Sequence, residues 1–505
     1  MNSRIALSVV LLSVISCSAA SHAAAKSSRP NVLFICADDH AAYVTGAYGN
    51  KLVRTPNIDR LAQAGIRFDR AYSNAPICSA SRASFITGRY PRTVGVTQLR
   101  TPLPESETTL ADILKAAGYD TAAIGKTHFN SGLKHGYDSL INHPQHRQWL
   151  KRRGAKPLPK GVEVLPKWKP FRDHARIWLN GMYDPFGAVD ADMPGTFFAR
   201  RAAAFVEQKR DRPFFLFISF YEPHSPFRFP VEYAGRHDPG KFPVAKVGPG
   251  DGGQIPAIFR DLTDAEKQGI TAAYYTSTEF MDKNVGLVLE ALRRSGKADN
   301  TLVVYIGDHG YMLGHHGRFE KHCSFEQANR TPLLLSYPGK IAAGRHTEAM
   351  TEFIDIVPTV LDFCELPTPG NVQGRSLAAL AAGKTDSHRR RIFVEYAQND
   401  EVMVRDERWK LVFIRGKRRR DDGYDTRLPL PGHKLKLYDL KNDPEEMHNL
   451  AGEAEQKQRV DHYVGLLVDF LKRTSRQPEL IPKTDDPMVI LDHCVQPRDV
   501  VAKKK

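Results

Sequence analysis

Cysteine is scarce in this chain: six in 505 residues, one of them at position 17. The other five, Cys36, Cys78, Cys323, Cys364 and Cys494, are odd in number and widely spaced. That excludes the disulfide framework of a small secreted domain and leaves at least one thiol unpaired or modified. The apolar stretch Ile5 to Ile15 is shorter than the ~20 residues a bilayer-spanning helix needs, so no membrane span is expected. There is no internal repeat, and no zinc-finger, helix-turn-helix or RNA-binding signature that would point to nucleic acid. Acidic residues fall short of basic ones, 57 against 72, for a net charge of +15. A solvated basic surface and attraction of an anionic partner both remain open as its meaning.

The first 25 residues read as a secretion signal. Arg4 supplies the positive end, Ile5 to Ile15 the apolar core, and Ser21-His22-Ala23 or Ala23-Ala24-Ala25 the small-residue cleavage site. The mature chain then starts near Ala24 or Lys26 and is exported, to the periplasm or outside the cell. Lipid attachment at Cys17 is the alternative, though Val14-Ile15-Ser16 matches such a signal poorly. With 41% hydrophobic residues the mature chain can bury more than one core, since single cores stop growing at about 250–300 residues. A large domain is expected over 26–385 and a smaller α+β domain over 386–480. The division rests on the small-residue stretch Ala378 to Lys384 and the strand-like runs Ile392 to Tyr396, Val402 to Arg405 and Lys410 to Ile414. Residues 481–505 are expected to form an irregular basic tail, with Met488 to Leu491 packing back on the large domain. The basic run Arg415 to Arg420 reads as a loop with Asp421-Asp422-Gly423.

Four apolar runs look like buried strands, and each ends in polar residues. Val32 to Ala37 leads into Asp38-Asp39-His40, and Thr121 to Gly125 into Lys126-Thr127-His128. Phe214 to Phe220 leads into Tyr221-Glu222-Pro223-His224, and Leu302 to Gly307 into Asp308-His309. Continuous apolar strands belong to sheets covered on both faces. Helical patterns at Thr55 to Ala64, Thr108 to Ala117 and Phe280 to Ser295 lie between them, so the economical fold is α/β with a largely parallel sheet. Ligands of open α/β sheets bind beyond the carboxyl ends of the strands, so four polar clusters at four such ends point to one pocket.

Asp38, Asp39 and Asp308 are carboxylates at strand ends, suited to a hard divalent ion. An adjacent Asp pair alone more often marks a turn or cap; a third Asp at another strand end weakens that reading. Lys126, His128, His224 and Lys321 add donors and titratable groups of the kind that binding and cleaving an anionic ester requires. Cys78 precedes a short helix closed by Gly88, so its side chain sits at a helix N-terminus that favours an oxyanion. A buried inert thiol is the plainer alternative.

The segment Cys78-Ser79-Ala80-Ser81-Arg82 with Thr87-Gly88-Arg89 resembles the signature of the type I sulfatases, in which the cysteine becomes formylglycine. Asn31 to Asp39, Thr55-Pro56-Asn57-Ile58-Asp59, Gly125-Lys126, Gly307-Asp308-His309-Gly310, Leu437-Tyr438-Asp439-Leu440 and Asp443-Pro444-Glu445-Glu446 resemble further family landmarks in order. The resemblance implies an alkaline-phosphatase-like sheet and a secreted sulfuric ester hydrolase acting on a sulfated saccharide. It implies a nucleophile at residue 78 held by Arg82, attack on sulfur giving a covalent sulfate ester, and later elimination of sulfate. His224 would protonate the leaving alcohol, Lys126 and Lys321 would neutralise sulfate oxygens, and His128 would take the proton released at elimination. One calcium ion would be bound by Asp38, Asp39, Asp308, residue 78 and His309, the last standing where many relatives carry asparagine. Ala80 stands where the family usually has proline, a form that resembles substrates of radical-type maturation enzymes. Either such an enzyme or a formylglycine-generating enzyme is therefore the implied partner. The stretches Glu222 to Pro230 and Leu313 to Lys321 look most like the iduronate-2-sulfatase branch, which suggests a sulfated uronate or similar sugar. His315, His316, Arg100 and Gln98 are candidate sugar-pocket residues, with exposed loop positions as their plainer reading. A phosphate ester or phosphonate hydrolase on the same fold, or a glycan-binding protein without catalysis should Cys78 stay a thiol, are the alternatives.

Overall fold

The computed structural model describes residues 29–162, 170–171, 187–420 and 422–500. The expected signal, its cleavage site and Cys17 lie outside the described residues.

Eight strands form the main sheet: β1 (Asn31–Asp38), β2 (Ile66–Phe68), β4 (Asp120–Gly125), β5 (Ser139–Ile141), β6 (Phe214–Pro223), β7 (Thr301–Gly307), β8 (Leu333–Ser336) and β9 (Arg345–Thr347), in the order β5-β4-β6-β1-β7-β8-β2-β9. The five strands from β5 to β7 are parallel, whereas β8 runs antiparallel to both its neighbours. A two-residue pair joins β3 (Ala71–Tyr72) to β10 (Thr351–Glu352). The apolar run of β1 has the physical cause expected of it. Val32, Phe34 and Cys36 enter one core, while Leu33, Ile35 and Ala37 enter another on the opposite face. Successive strand side chains alternate between faces, so a strand buried on both sides has no polar position until it ends.

Register is what brings the strand ends together. Cys36 pairs with Ser219 on one side of β1 and with Ile306 on the other, Ala37 is opposite Gly307, and Gly125 is opposite Ser219. The residues that follow each of these positions therefore emerge side by side. The helical patterns correspond to Pro56–Gln63, Leu110–Ala116 and Asp264–Arg294. The last starts far earlier than Phe280, at a capping box of Thr263 and Glu266, because its first half is buried under loops of a third core rather than on the sheet.

A separate antiparallel sheet holds β11 (Ile392–Tyr396), β12 (Glu401–Arg405), β13 (Trp409–Ile414) and β14 (Lys434–Asp439) in sequence order. The helix Lys457–Thr474 packs its apolar side on it. The segment after 480 is not the irregular tail expected of it. It contains the helix Pro487–Cys494, capped by Asp486 and buried through Ile490, Leu491 and Cys494 in the core of this second sheet, which also takes in Tyr90 and Ile354. The Asp499 carboxylate then accepts hydrogen bonds from the Thr97 and Gln98 amides. The basic run lies between β13 and β14, yet Arg420, half-buried, pairs with Asp422 and Arg418 pairs with Asp400. All five described cysteines are free and buried. Among the described residues no helix is long and apolar enough to cross a membrane.

Candidate active site

Asp38 closes β1, and Asp39 follows with φ 64°, a left-handed turn that Asp tolerates better than most side chains. The Asp39 amide thereby donates to Asp308 Oδ1 at 2.9 Å, tying the end of β1 to the end of β7. Gly125 turns the chain after β4 with φ 93°, and a Cβ there would lie 1.9 Å from the Ser219 carbonyl oxygen, so only glycine can deliver Lys126 to this point.

The helix Cys78–Thr87 enters this edge with Cys78 as its first residue and ends at Gly88 in a left-handed cap. Every residue of the helix is buried. One turn on from the thiol, Arg82 donates from Nε to Asp308 Oδ2 at 2.9 Å and from Nη1 to Ser219 Oγ at 2.9 Å. Its Nη2 lies 3.4 Å from Asp38 Oδ1. Lys126 Nζ donates to Asp38 Oδ2 at 2.5 Å, and Lys321 Nζ to Asp39 Oδ1 at 2.6 Å. His309 Nε2 is 3.2 Å from the Cys78 sulfur, 3.4 Å from Asp39 Oδ1 and 3.6 Å from Asp308 Oδ1. His224 Nε2 stands 3.9 Å from Asp39 Oδ2 while its Nδ1 meets the Ser225 carbonyl oxygen at 2.6 Å. His128, with φ 57°, buries an Nδ1 that has no hydrogen-bond partner.

Charge balance decides the protonation states. Burial pushes Asp38 up, but Lys126, His224 and Arg82 outweigh it and hold this carboxyl well below its usual range. Burial and Asp38 raise the Cys78 thiol, and Lys126 with Lys321 pulls it below the ordinary value. Burial lowers His224 to about 4 and His128 to about 3, Lys321 and Lys126 adding to the effect respectively. His309 goes the other way: burial lowers it, but Asp308, Cys78 and Asp39 raise it to about 9.

One ligand atom each from Asp38, Cys78, Asp308 and His309 falls within 4.8 Å of the others, and a second overlapping group joins Asp38, Asp39, Cys78 and His224. Ligands on opposite sides of a calcium ion lie about 4.6–5.2 Å apart, twice a bond of 2.3–2.6 Å, so the first group has the right span. The donor set fits a hard cation through its carboxylates. His309 also suits ligation: with Nδ1 as donor to the Gly310 carbonyl oxygen at 3.0 Å, the Nε2 lone pair faces the cluster, and a cation there takes the place of the proton.

Sequence reasoning missed three supporting groups. Ser219, a lone hydroxyl inside the apolar run of β6, holds Arg82. Ser81 Oγ donates to the Asp308 carbonyl oxygen at 2.5 Å. Tyr274 donates to the Asp39 carbonyl oxygen at 2.5 Å and accepts from the Ala41 amide at 3.0 Å. Only the misplaced serine in β6 carried a readable signal. One of the sugar-pocket candidates is otherwise employed. His316 is fully buried, paired with Asp251 at 2.8 Å and stacked on Phe325 at 3.6 Å, so it is neither pocket lining nor exposed loop. The Gln98 backbone carbonyl oxygen accepts from Ser79 Oγ at 2.9 Å, and the residue is half-buried. Arg100 is exposed, and His315 meets Tyr43 edge to face.

Comparison with known proteins agrees with this geometry. Residues 30–365 match the Sulfatase family model, and residues 314–472 match N-sulphoglucosamine sulphohydrolase, C-terminal. The chain is 27% identical to an N-acetylglucosamine-6-O-sulfatase of Bacteroides thetaiotaomicron, over 93% of this chain and 91% of that protein. It is 28% identical to the iduronate 2-sulfatase of Mus musculus, over 67% and 69% of the two chains. The fold is shared with a phosphonate monoester hydrolase of Agrobacterium radiobacter, with TM-score 0.76 and 24% identity over 90% of this chain and 98% of that one. A 2-O GAG sulfatase shares it too, with TM-score 0.69 and 23% identity over 91% and 96%. The chain belongs to the sulfatase family and is a sulfuric ester hydrolase.

Proposed function

We propose that this enzyme, exported to the periplasm or beyond, removes sulfate from a sulfated carbohydrate through a formylglycine made from Cys78 and one calcium ion. The substrate is a glycosaminoglycan-like or other sulfated glycan, with a 2-O-sulfated uronate among the candidate units. The observation that carries this reading is the convergence of a helix-terminal Cys78 with three carboxylates and three buried cations at adjoining strand ends. Relatives named for saccharide sulfates, matched over most of their length, support the substrate class.

Asp38, Asp39, Asp308, His309 and the oxygen at position 78 would hold the calcium ion, which when bound acidifies a hydroxyl and offsets charge on the ester. Oxidation of Cys78 supplies an aldehyde whose hydrate offers one hydroxyl for attack on sulfur and a second for expelling sulfate. Arg82 fixes Asp308 and Asp38 from one side, so the carboxylates keep their positions as substrate enters. Lys126 and Lys321 are held charged beside the thiol and receive the sulfate oxygens. His224 gives a proton to the departing alcohol oxygen, and His128 takes the proton of the second hydroxyl. An anionic ester between the lysines raises both imidazoles from their depressed values, because added negative charge favours imidazolium.

Parallel assays with an aryl sulfate and the matching aryl phosphate test the reaction class. Faster turnover of the sulfate supports the reading, and preference for the phosphate overturns it in favour of the phosphate-ester alternative. A panel of defined sulfated saccharides then identifies the sugar and the sulfate position. Because Ala80 replaces the usual proline, activity is expected to appear on co-expression with a radical-type maturation enzyme.

A further inference from the structure

A second cationic site lies away from the catalytic edge. A groove of about 1150 Å³ opens between the start of the second sheet and the helix Lys457–Thr474, floored by Phe393, Trp409 and Phe470. Phe393 and Phe470 stack at 4.2 Å, and Arg408 and Arg459 lie over the Trp409 ring at 5.0 and 3.9 Å. Not all of the basic residues at this groove are available. Arg389 and His388 turn inward to Asp355, and Arg408 pairs with Asp439. Arg375, Arg390, Arg391 and Arg473 are different: none of them has a carboxylate within ion-pair distance among the described residues, and the Nε of Arg391 is buried with no hydrogen-bond partner. Of the groove's acids, Asp406 is engaged by Tyr463 and by the Trp409 amide, which leaves Glu407 and Asp469. Elsewhere in this protein arginines regularly meet acids, as Arg405 meets Glu326 and Arg420 meets Asp422. Four unpaired guanidinium groups on an aromatic floor therefore make a preformed site for an extended anion.

We infer that this groove binds a stretch of sulfated polysaccharide and anchors it to the enzyme outside the catalytic pocket. The chemistry suits that class. Planar guanidinium groups bind sulfate oxygens through paired N–H donors, and sugar rings lie against aromatic faces such as Trp409. None of the groove residues belongs to the catalytic set. The groove lies at one end of β11, at Phe393, while Tyr396 at the other end stacks on His322 beside Lys321. The site is thus a separate anchor on the same domain sheet. The inference rests on the proposed glycan substrate for the identity of its occupant.

The test uses the full-length enzyme and the triple variant Arg390→Ala/Arg391→Ala/Arg473→Ala, with the single variant Arg390→Ala to guard against misfolding. Binding to a size-defined heparin chain and to its desulfated form is measured at several salt concentrations, beside turnover of an aryl sulfate. Loss of three ionic contacts is expected to weaken heparin binding about tenfold and flatten its salt dependence. Arg390→Ala is expected to give a smaller loss, and aryl sulfate turnover stays unchanged in both variants. Heparin affinity equal to that of the unaltered enzyme overturns the anchor, as does equal affinity for the desulfated chain or preference for single-stranded DNA or anionic vesicles over heparin. An aryl sulfate that is not hydrolysed by the unaltered, matured enzyme would instead count against the proposed reaction, so the two failures are distinguishable.

Discussion

Two nests of buried charge in this enzyme invite comparison. At the edge of the main sheet Asp38, Asp39 and Asp308 face Arg82, Lys126 and Lys321. Under the second sheet, Glu326 and Glu446 face Arg405 and Lys410, which are cross-strand partners on β12 and β13. Both are built of matched charges, and each holds one carboxyl group low, Asp38 in the first and Glu326 in the second. What differs is what remains over. The second nest closes on itself, Tyr72 filling the remaining place at Glu326. The first keeps a thiol at a helix start, an imidazole nitrogen aimed at the carboxylates and the unpartnered Nδ1 of His128. Matched buried charge alone is a structural device; matched charge that leaves a thiol and polar groups unspent is the pattern of a functional site.

The comparison breaks most visibly by mutation. Asp308→Ala or Asp38→Ala is expected to cut kcat for an aryl sulfate by ~10³-fold or more while the protein stays soluble and folded, as circular dichroism and gel filtration would check. Glu326→Ala should do the reverse. Leaving Arg405 buried without its partner, and Lys410 with Glu446 alone, costs about 3–5 kcal/mol, read as a lowered midpoint in denaturant, with kcat of the folded fraction retained. Equal effects of the two changes on activity would erase the distinction.

Metal removal separates the nests more gently. Exhaustive chelation is expected to abolish activity, restored by calcium, and to lower the melting temperature by a few degrees, since an ion bound only to the native state at about 100 times its Kd adds ~2.7 kcal/mol. The charge nest at Glu326 should be indifferent to chelator. The smallest effect is in pH. Burial raises the Glu326 carboxyl, but Arg405 and Lys410 outweigh it and hold it at about 2, below an ordinary Glu near ~4.3. A depressed carboxyl stabilises the fold above its unfolded value and loses that contribution as pH falls through the folded one. The stability gap between the unaltered enzyme and Glu326→Gln should therefore be flat from pH 7 to 5 and narrow between about 4.3 and 2. A gap that widens on acidification would contradict the assignment.

These two nests also differ in how far they could be read from sequence. The candidate active-site edge was legible because a doubly covered strand permits polar residues only at its end, so Asp38, Lys126, His224 and Asp308 stood out against apolar runs. The parallel sheet followed from the same runs. Ser219 and Tyr274 were not singled out, since their roles depend on register and on a long helix whose first half shows no strand-facing pattern. His316 was misjudged because its partner Asp251 is 65 residues away. The helix Pro487–Cys494 was not read from the sequence beyond the short apolar run Met488 to Leu491, although Asp486 before Pro487 is a standard helix start.

The nucleophile is the centre of the account, and the mass of the peptide that contains Ser79 and Arg82 tests it most directly. In enzyme made with a competent maturation system, residue 78 is expected to appear as an aldehyde or its hydrate, while the same peptide from an incompetent host carries an alkylatable thiol. Specific activity across mixed preparations should rise in proportion to the aldehyde fraction and extrapolate to zero at none, because only a geminal diol can expel sulfate by reforming a carbonyl. Full activity in protein whose residue 78 is wholly thiol, or in Cys78→Ala, would contradict it.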